Sequence, residues 1–298
     1  MTLEIARAAY ADSPAAPDTA FVSLRRRLLR NKLSLVALCA IVLLVFIAVL
    51  APWITPLDPN EPDAYAVLQQ PSWAHLLGTD VYGRDELSRI IFAARVDLLV
   101  AFVSTFLALL IGSLIGAISG FRGGWLDQIV MRIVDAVMAF PAFVLAMGLT
   151  AAIGSSITNL ILVIAVTQIP VYLRQIRAEI LRERELEYAQ AAQTVGNPTW
   201  RIVFIHLVPN CLAPLIVQAT LAMGFALLTL AALSYIGLGV QPPDPEWGEM
   251  VSEGASLMVT GHWWLSLFPG IAILVTVLIF NLVGDGLRDL LDPRMRGR

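Results

Sequence analysis

LSLVALCAIVLLVFIAVLAPWI, residues 33–54, contains no Asp, Glu, Lys or Arg. At about 1.5 Å per residue, a helix of this length crosses a hydrocarbon core of about 30 Å. Arg25, Arg26, Arg27, Arg30 and Lys32 stand before it, and Pro52-Trp53 closes it where a signal peptide would carry small residues. The run is also longer than a signal h-region, so it is expected to stay in the mature chain as an anchor. The composition agrees. Of 298 residues, 58% are hydrophobic and 14% charged, with mean hydropathy +0.75. A soluble domain has about 45–50% apolar and about 25% charged residues. The chain is therefore a membrane protein.

Working outward, residues 98–119 and 263–283 are likewise free of charge, and residues 129–153 hold only Arg132 and Asp135. A fourth apolar run, residues 157–173, follows the turn-forming Gly154-Ser155-Ser156. Residues 202–243 are uncharged but interrupted at Pro209-Asn210, which predicts a short helix before the break and a fifth span over residues 211–236. Six spans place both termini on one side. With the termini inside, 16 basic residues fall in the cytoplasm and only Arg84, Arg89 and Arg95 outside, leaving Arg132 in the membrane. Cytoplasmic loops carry the Lys/Arg excess, so this is the expected orientation. Residues 1–32 become a cytoplasmic tail and residues 33–298 an all-α polytopic transmembrane bundle, with a cytoplasmic segment at residues 174–209.

Several kinds of chemistry have no residues to carry them. The net charge of −3 offers no basic field for nucleic acid. Cys39 and Cys211 form no framework, and His75, His206 and His262 are too scattered for a metal cluster. Lys32, between Asn31 and Leu33, is the only lysine, so no Walker loop exists and the chain cannot bind ATP in that way. Ion-coupled carriers place carboxylates deep in their spans. Here Asp135 is the one candidate, and its spacing of three from Arg132 predicts a local ion pair. No nucleophile–base pair suits an intramembrane protease, so no catalytic residue is assigned. The polar groups left in the spans are amides: Gln168, Gln218, Asn159 and Asn281. Such groups most often bond neighbouring helices, but Gln168, Gln218 and Asn281 could also line a wet pathway.

Between residues 174 and 209 the sequence reads as two short helices. Residues 186–195 are rich in alanine, Gly196 is a stop, Asn197 a cap and Pro198 a residue suited to a first turn. The second helix is expected to end at Pro209. Ala189, Ala191 and Ala192 give this knob a surface that a partner can approach closely; a solvated loop is the alternative.

Here the chain resembles the permease subunits of bacterial ABC importers. Their motif at this place is EAA, three residues, Gly, nine residues, then I-x-L-P. Aligned on Gly196, it puts Ala191, Ala192 and Pro209 in register, with Gln190, His206 and Val208 where the motif has Glu, Ile and Leu. More specific is the similarity to the peptide/nickel branch, and within it to the dipeptide- and oligopeptide-type C subunits. It is carried by HLLGTDVYGRDELSR at residues 75–89, GGWLDQIVMRIVDAVMAFPAF at 123–143, PNCLAPLIVQA at 209–219, GLGVQPPDPEWGEM at 237–250 and FNLVGDGLRDLLDPR at 280–294. It spans nearly the whole chain after the first twenty residues.

The residues of these blocks also carry a direct reading. Asp85 and Glu86 sit where a helix would start, followed at helical spacing by Leu87, Ile90, Ile91 and Ala94. This predicts an amphipathic helix at the outer surface, packed on the bundle or meeting a partner. Pro242, Pro243 and Pro245 stiffen a second outer segment, which Asp244, Glu246, Glu249 and Glu253 make acidic and Trp247 anchors at the interface.

What the resemblance implies is one half of a pore in the bacterial cytoplasmic membrane, paired with a homologous but different permease. Two cytoplasmic ATPases would carry the ATP and Mg, none of it bound by this chain, and an outer solute-binding protein would deliver a di- or oligopeptide. Nickel chelates, glutathione and opines are alternatives in the same branch. Ala189, Gln190, Ala191, Ala192, Gly196, Asn197, Pro198 and Pro209 would form the ATPase-coupling surface. Asp80, Arg84, Asp85, Asp244, Glu246 and Trp247 are candidates for contact with the binding protein. An autonomous carrier or channel, or a membrane scaffold with no conduit, are the competing classes.

Overall fold

The computed structural model describes residues 32–291, and all regular elements among them are helices. The N-terminal tail and the basic residues Arg294, Arg296 and Arg298 lie outside the described residues. The helices are α1 (Lys32–Ile54), α2 (Glu86–Arg122), α3 (Gly124–Met138), α4 (Ala142–Ile153), α5 (Ile157–Glu183), α6 (Glu187–Thr194), α7 (Thr199–Tyr235), α8 (Trp247–Leu257) and α9 (Trp264–Leu291). Five of them, α1, α2, α5, α7 and α9, are long and apolar enough to cross a membrane. The pair α3–α4 makes a sixth if taken as one span, bent by 88°. Pro141 stands at that bend, where its ring denies α4 a continuous backbone with α3.

The bundle is built on the packing of α2 against α5. Gly112, Gly116 and Gly120 recur every fourth residue, one above the other on a single helix face. A Cβ at Gly112 would stand 2.8 Å from the Ile169 carbonyl oxygen, and one at Gly116 2.5 Å from that of Leu173. Without a hydrophobic drive between helices in lipid, such close backbone approach is what gives van der Waals packing its strength. Two buried clusters fill the rest. One joins Ala93, Val100, Leu160, Ile164, Leu227, Leu230 and Trp247. The other joins Tyr172, Ile176, Ile180, Ala189, Val203, Leu207 and Leu215. By contrast Val36, Val42, Phe46 and Val49 on α1 stay exposed, as a lipid-facing helix requires.

Four expectations are revised. The outer amphipathic helix is not a separate element: Asp85 caps α2 by accepting from the Ser88 amide, and the helix continues from Glu86 through the span without a break. Nothing between Arg95 and Leu98 interrupts it. Next, α5 runs ten residues beyond its apolar stretch, to Glu183. The Pro209 break is absent too. Residues Ile202–Leu207 form a π-helical turn that leads straight into the rest of α7. Its wider register gives the Val208 amide the Val203 carbonyl and makes room for a proline that an α-helix would clash with. Lastly, Asp135 pairs with Arg174 of α5 rather than with Arg132. A second inter-helix pair lies beside it: Arg177 holds Asp127 through two bonds of 2.6 Å. Both pairs fasten α3 to α5, which tertiary proximity permits and local spacing cannot reveal.

Candidate functional site

The knob is the turn between α5 and α7. Glu183 ends α5, and Arg184-Glu185-Leu186 leads into α6, whose eight residues are followed by Val195 and a left-handed Gly196 at φ 83°. The Gly196 amide donates to the Gln193 carbonyl and the Asn197 amide to that of Ala192, a paired closure that satisfies the last carbonyls of α6. The Asn197 side chain donates to the same Ala192 oxygen at 3.0 Å. Pro198 then precedes the first turn of α7.

Several side chains brace this turn against the bundle. The Tyr188 hydroxyl donates to Glu183 at 2.6 Å, and Asn210 of α7 donates to the Tyr188 oxygen at 3.3 Å. So α6 is tied to the end of α5 and the start of α7 together. Arg184 donates to the Gly120 and Phe121 carbonyls at the end of α2. Gln190, where the motif has Glu, donates its amide to the Glu185 carbonyl at 3.0 Å. A carboxylate accepts only, so this bond needs the glutamine.

Ala189 is buried in the chain's own core and half-buried Ala192 packs against it; Gln190, Ala191, Gly196 and Pro198 are exposed and Asn197 is half-buried. Pro209 is exposed on α7. Val195 is 82% exposed and Trp200 56%, unusual for such side chains on a polar knob. Beside them Phe121, Arg184, Glu185, Gln190 and Gln193 line an open recess of about 440 Å³. The arrangement is a largely polar turn that carries the exposed apolar side chains of Val195 and Trp200 and has an open recess on its surface.

At the opposite end, the rim is a buried ionic network. Asp80 accepts from the Tyr82 and Arg84 amides and from Arg84 Nε at 2.5 Å. Arg89 reaches the Pro59 carbonyl and lies 3.6 Å from both Asp80 and Glu249, while Arg84 lies 3.7 Å from Glu253. Asp85 also meets His75 at 3.0 Å. Glu246 caps α8 by accepting from the Gly248 and Glu249 amides, and the Trp247 indole donates to the Ile90 carbonyl. Burial pushes the Glu249 carboxyl up to about 7, with the nearby Glu253 adding to it. Of the six residues expected to contact a binding protein, Asp80, Arg84, Asp85, Glu246 and Trp247 are buried, and only Asp244 is exposed. Tyr65 and Trp73, which the sequence reading did not single out, are both over 90% exposed in the loop between α1 and α2. Aromatic residues in a Pro/Asp-rich loop were the available signal.

The amides divide as well. Gln168 accepts from Thr105 of α2 at 3.4 Å, a bond between helices. Gln218 and Asn281 are half-buried and make no side-chain hydrogen bond among the described residues.

Residues 112–297, taking in the knob and its flanking helices, match the family of binding-protein-dependent transport system inner membrane components. The chain belongs to this family. Residues 20–71 of the permease match the N-terminal transmembrane domain of oligopeptide transport permease C. It is 42% identical over 271 residues to a dipeptide transport system permease protein of Alkalihalophilus pseudofirmus, covering 91% of this chain and 89% of the relative. A probable D,D-dipeptide transport system permease protein of Escherichia coli is 45% identical over 268 residues, 90% of each chain. A di/tripeptide transport system permease protein of Pseudomonas aeruginosa is 42% identical over 272 residues, 89% of each. The permease is thus a multi-pass membrane transport subunit, and the reading as an autonomous carrier or channel is not favoured.

Proposed function

We propose that the permease forms one half of the pathway of an ATP-driven importer for short peptides, its other half a homologous second permease. Two cytoplasmic ATPases bind ATP and Mg and dock on the knob; an outer binding protein delivers the solute. Both termini are cytoplasmic, as the basic residues favour. The observation that carries this reading is the α5–α6–α7 lever. Two long helices run unbroken from the knob into the bundle, and Tyr188, Glu183 and Asn210 tie the knob to both. A force on α6 would therefore tilt α5 and α7 together instead of being lost in a flexible loop. Gln218 and Asn281 are proposed to face the pathway, with Gln168 setting the spacing of α2 and α5. On the rim, Asp244 would meet the binding protein, while Asp80, Arg84, Asp85, Glu246 and Trp247 hold that face in shape. The peptide substrate is supported by the relatives' names, three of which specify di- or tripeptides.

Reconstitution tests this. Purified alone, the chain should neither hydrolyse ATP nor carry solute; assembled with a second permease, the ATPases and a loaded binding protein, it should do both. Uptake by the isolated chain on a proton or sodium gradient would refute the proposal. Native mass spectrometry of the co-purified binding protein identifies the ligand.

A further inference from the structure

A groove of about 820 Å³ runs along the flank of the bundle between α1, α2, α7 and α9. Its wall is almost wholly apolar, with Ala48 and Phe280 buried in it and Val49, Leu99 and Phe102 exposed along it. One cation stands in that wall. Arg95, on α2, is exposed, has no carboxylate partner among the described residues, and rests its guanidinium 5.1 Å from the Phe92 ring. It lies in the rim end of the groove: two residues further on, Asp97 accepts from the rim's Trp247 amide. From Val49 to Ile41, α1 carries the groove about 12 Å into the bundle, most of the ~15 Å of one leaflet's hydrocarbon.

An arginine without a carboxylate partner at the rim end of an apolar wall suits an anion whose remaining part is itself apolar. We propose that the groove is a phospholipid site: a phosphodiester pairs with Arg95, and one acyl chain lies along Leu99 and Phe102 toward Phe280. The guanidinium fork suits two phosphate oxygens, and the Phe92 ring lies 5.1 Å from it. Both ends of the lipid are thereby matched, charge at the rim and hydrocarbon below. A helix of another polypeptide would fill the apolar part but would have to bring its own carboxylate to Arg95. The inference depends on the orientation proposed above only for which leaflet supplies the lipid.

The test uses the delipidated full chain, titrated with dioleoylphosphatidylglycerol and read by native mass spectrometry. One retained lipid is expected. Arg95→Gln should weaken its retention at least fivefold, and Leu99→Trp, which narrows the groove at an exposed wall position, should do the same. Arg132→Gln, an exposed arginine on α3, should leave it unchanged, and inorganic phosphate should not displace the lipid. A photo-crosslinking residue at position 102 in the membrane-assembled transporter should then gain the mass of a phospholipid. Retention unaffected by Arg95→Gln, displacement by phosphate alone, or a crosslink to a polypeptide would each overturn the proposal. Lipid retention is read without ATP or uptake, so its failure would leave the importer reading standing, and the reverse.

Discussion

Gly196 has φ 83°, and nothing lies within 4 Å of the place a Cβ would occupy. Its constraint within the chain is therefore the left-handed backbone, which costs an ordinary L-residue about 1–2 kcal/mol. Asparagine tolerates that region, and a β-branched residue does not. Gly196→Asn should keep co-purification of the ATPase near the parent level while Gly196→Val loses most of it. If both lose it equally, bulk against a partner is the constraint instead. A neutral control for these variants is Glu61→Gln, in the exposed loop between α1 and α2, and not a change at Arg184, which holds the end of α2. On the rim, Glu249 carries a pH signature. Its folded-state pKa of about 7 lies above the usual 4.5, because burial disfavours the charge. The native state then binds more protons than the unfolded chain between those values, so this group's contribution falls as pH rises from about 4.5 through about 7. Thermal unfolding in detergent should show a higher midpoint at pH 5.5 than at pH 8 from this source, and Glu249→Gln should flatten that difference. An unchanged pH profile in the variant would remove Glu249 from the account.

Among the elements, the α2–α5 contact makes the sharpest demand on side-chain size. At Gly116 an added methyl would meet Ile176 and the Leu173 carbonyl at 2.5 Å, and the carbonyl belongs to a helix that cannot give way. At Gly120 the nearest atoms are at 3.2 Å, one of them on the flexible Arg177 side chain. Overpacking of this sort costs about 1–3 kcal/mol. Gly116→Ala should therefore lower the thermal midpoint and the yield of folded chain clearly more than Gly120→Ala does. Equal effects would mean that α2 and α5 are not in such close contact. The brace on α6 is a second demand of this kind. Hydrogen bonds to a charged group are worth about 1.5–3 kcal/mol. Tyr188→Phe removes the hydroxyl shared by Glu183 and Asn210, so amide exchange over residues 184–198 should quicken while α2 stays protected. Unaltered exchange there would show that the knob is held by other contacts.

For the whole molecule, the ionic rim and the knob lie at opposite ends of α5 and α7, and the orientation proposed above then gives the expected result of a topology experiment. In a cysteine-free background, single cysteines at Asp58 and Asp244 should react with an impermeant reagent from outside. Cysteine at Glu185, an exposed site on the knob, should react only after the inner face is opened. Labelling of the Glu185 site from outside would invert or break the proposed arrangement.

Membrane residence, the all-helical class and the positions of the apolar runs follow from the sequence by itself, because the cost of exposing backbone and charge to lipid acts locally on every segment. The helix start at Asp85 and the stop at Gly196 were legible for a related reason: caps satisfy their own turn. The path of α7 through Pro209 was not, since a π-helical turn depends on which neighbouring groups accept the displaced register. Nor were the Asp127–Arg177 and Asp135–Arg174 pairs, the burial of Asp80, Arg84 and Asp85, or the duty of Arg184 at the end of α2. The pairs and the Arg184 contact join residues far apart in the chain, and the burial of the rim charges depends on segments packed over them from elsewhere. An acidic or basic residue looks the same in the sequence whether it faces water, a partner or another helix. Only the packing of α2, α5 and α8 decides which charges are spent inside the protein and which remain free to meet something else.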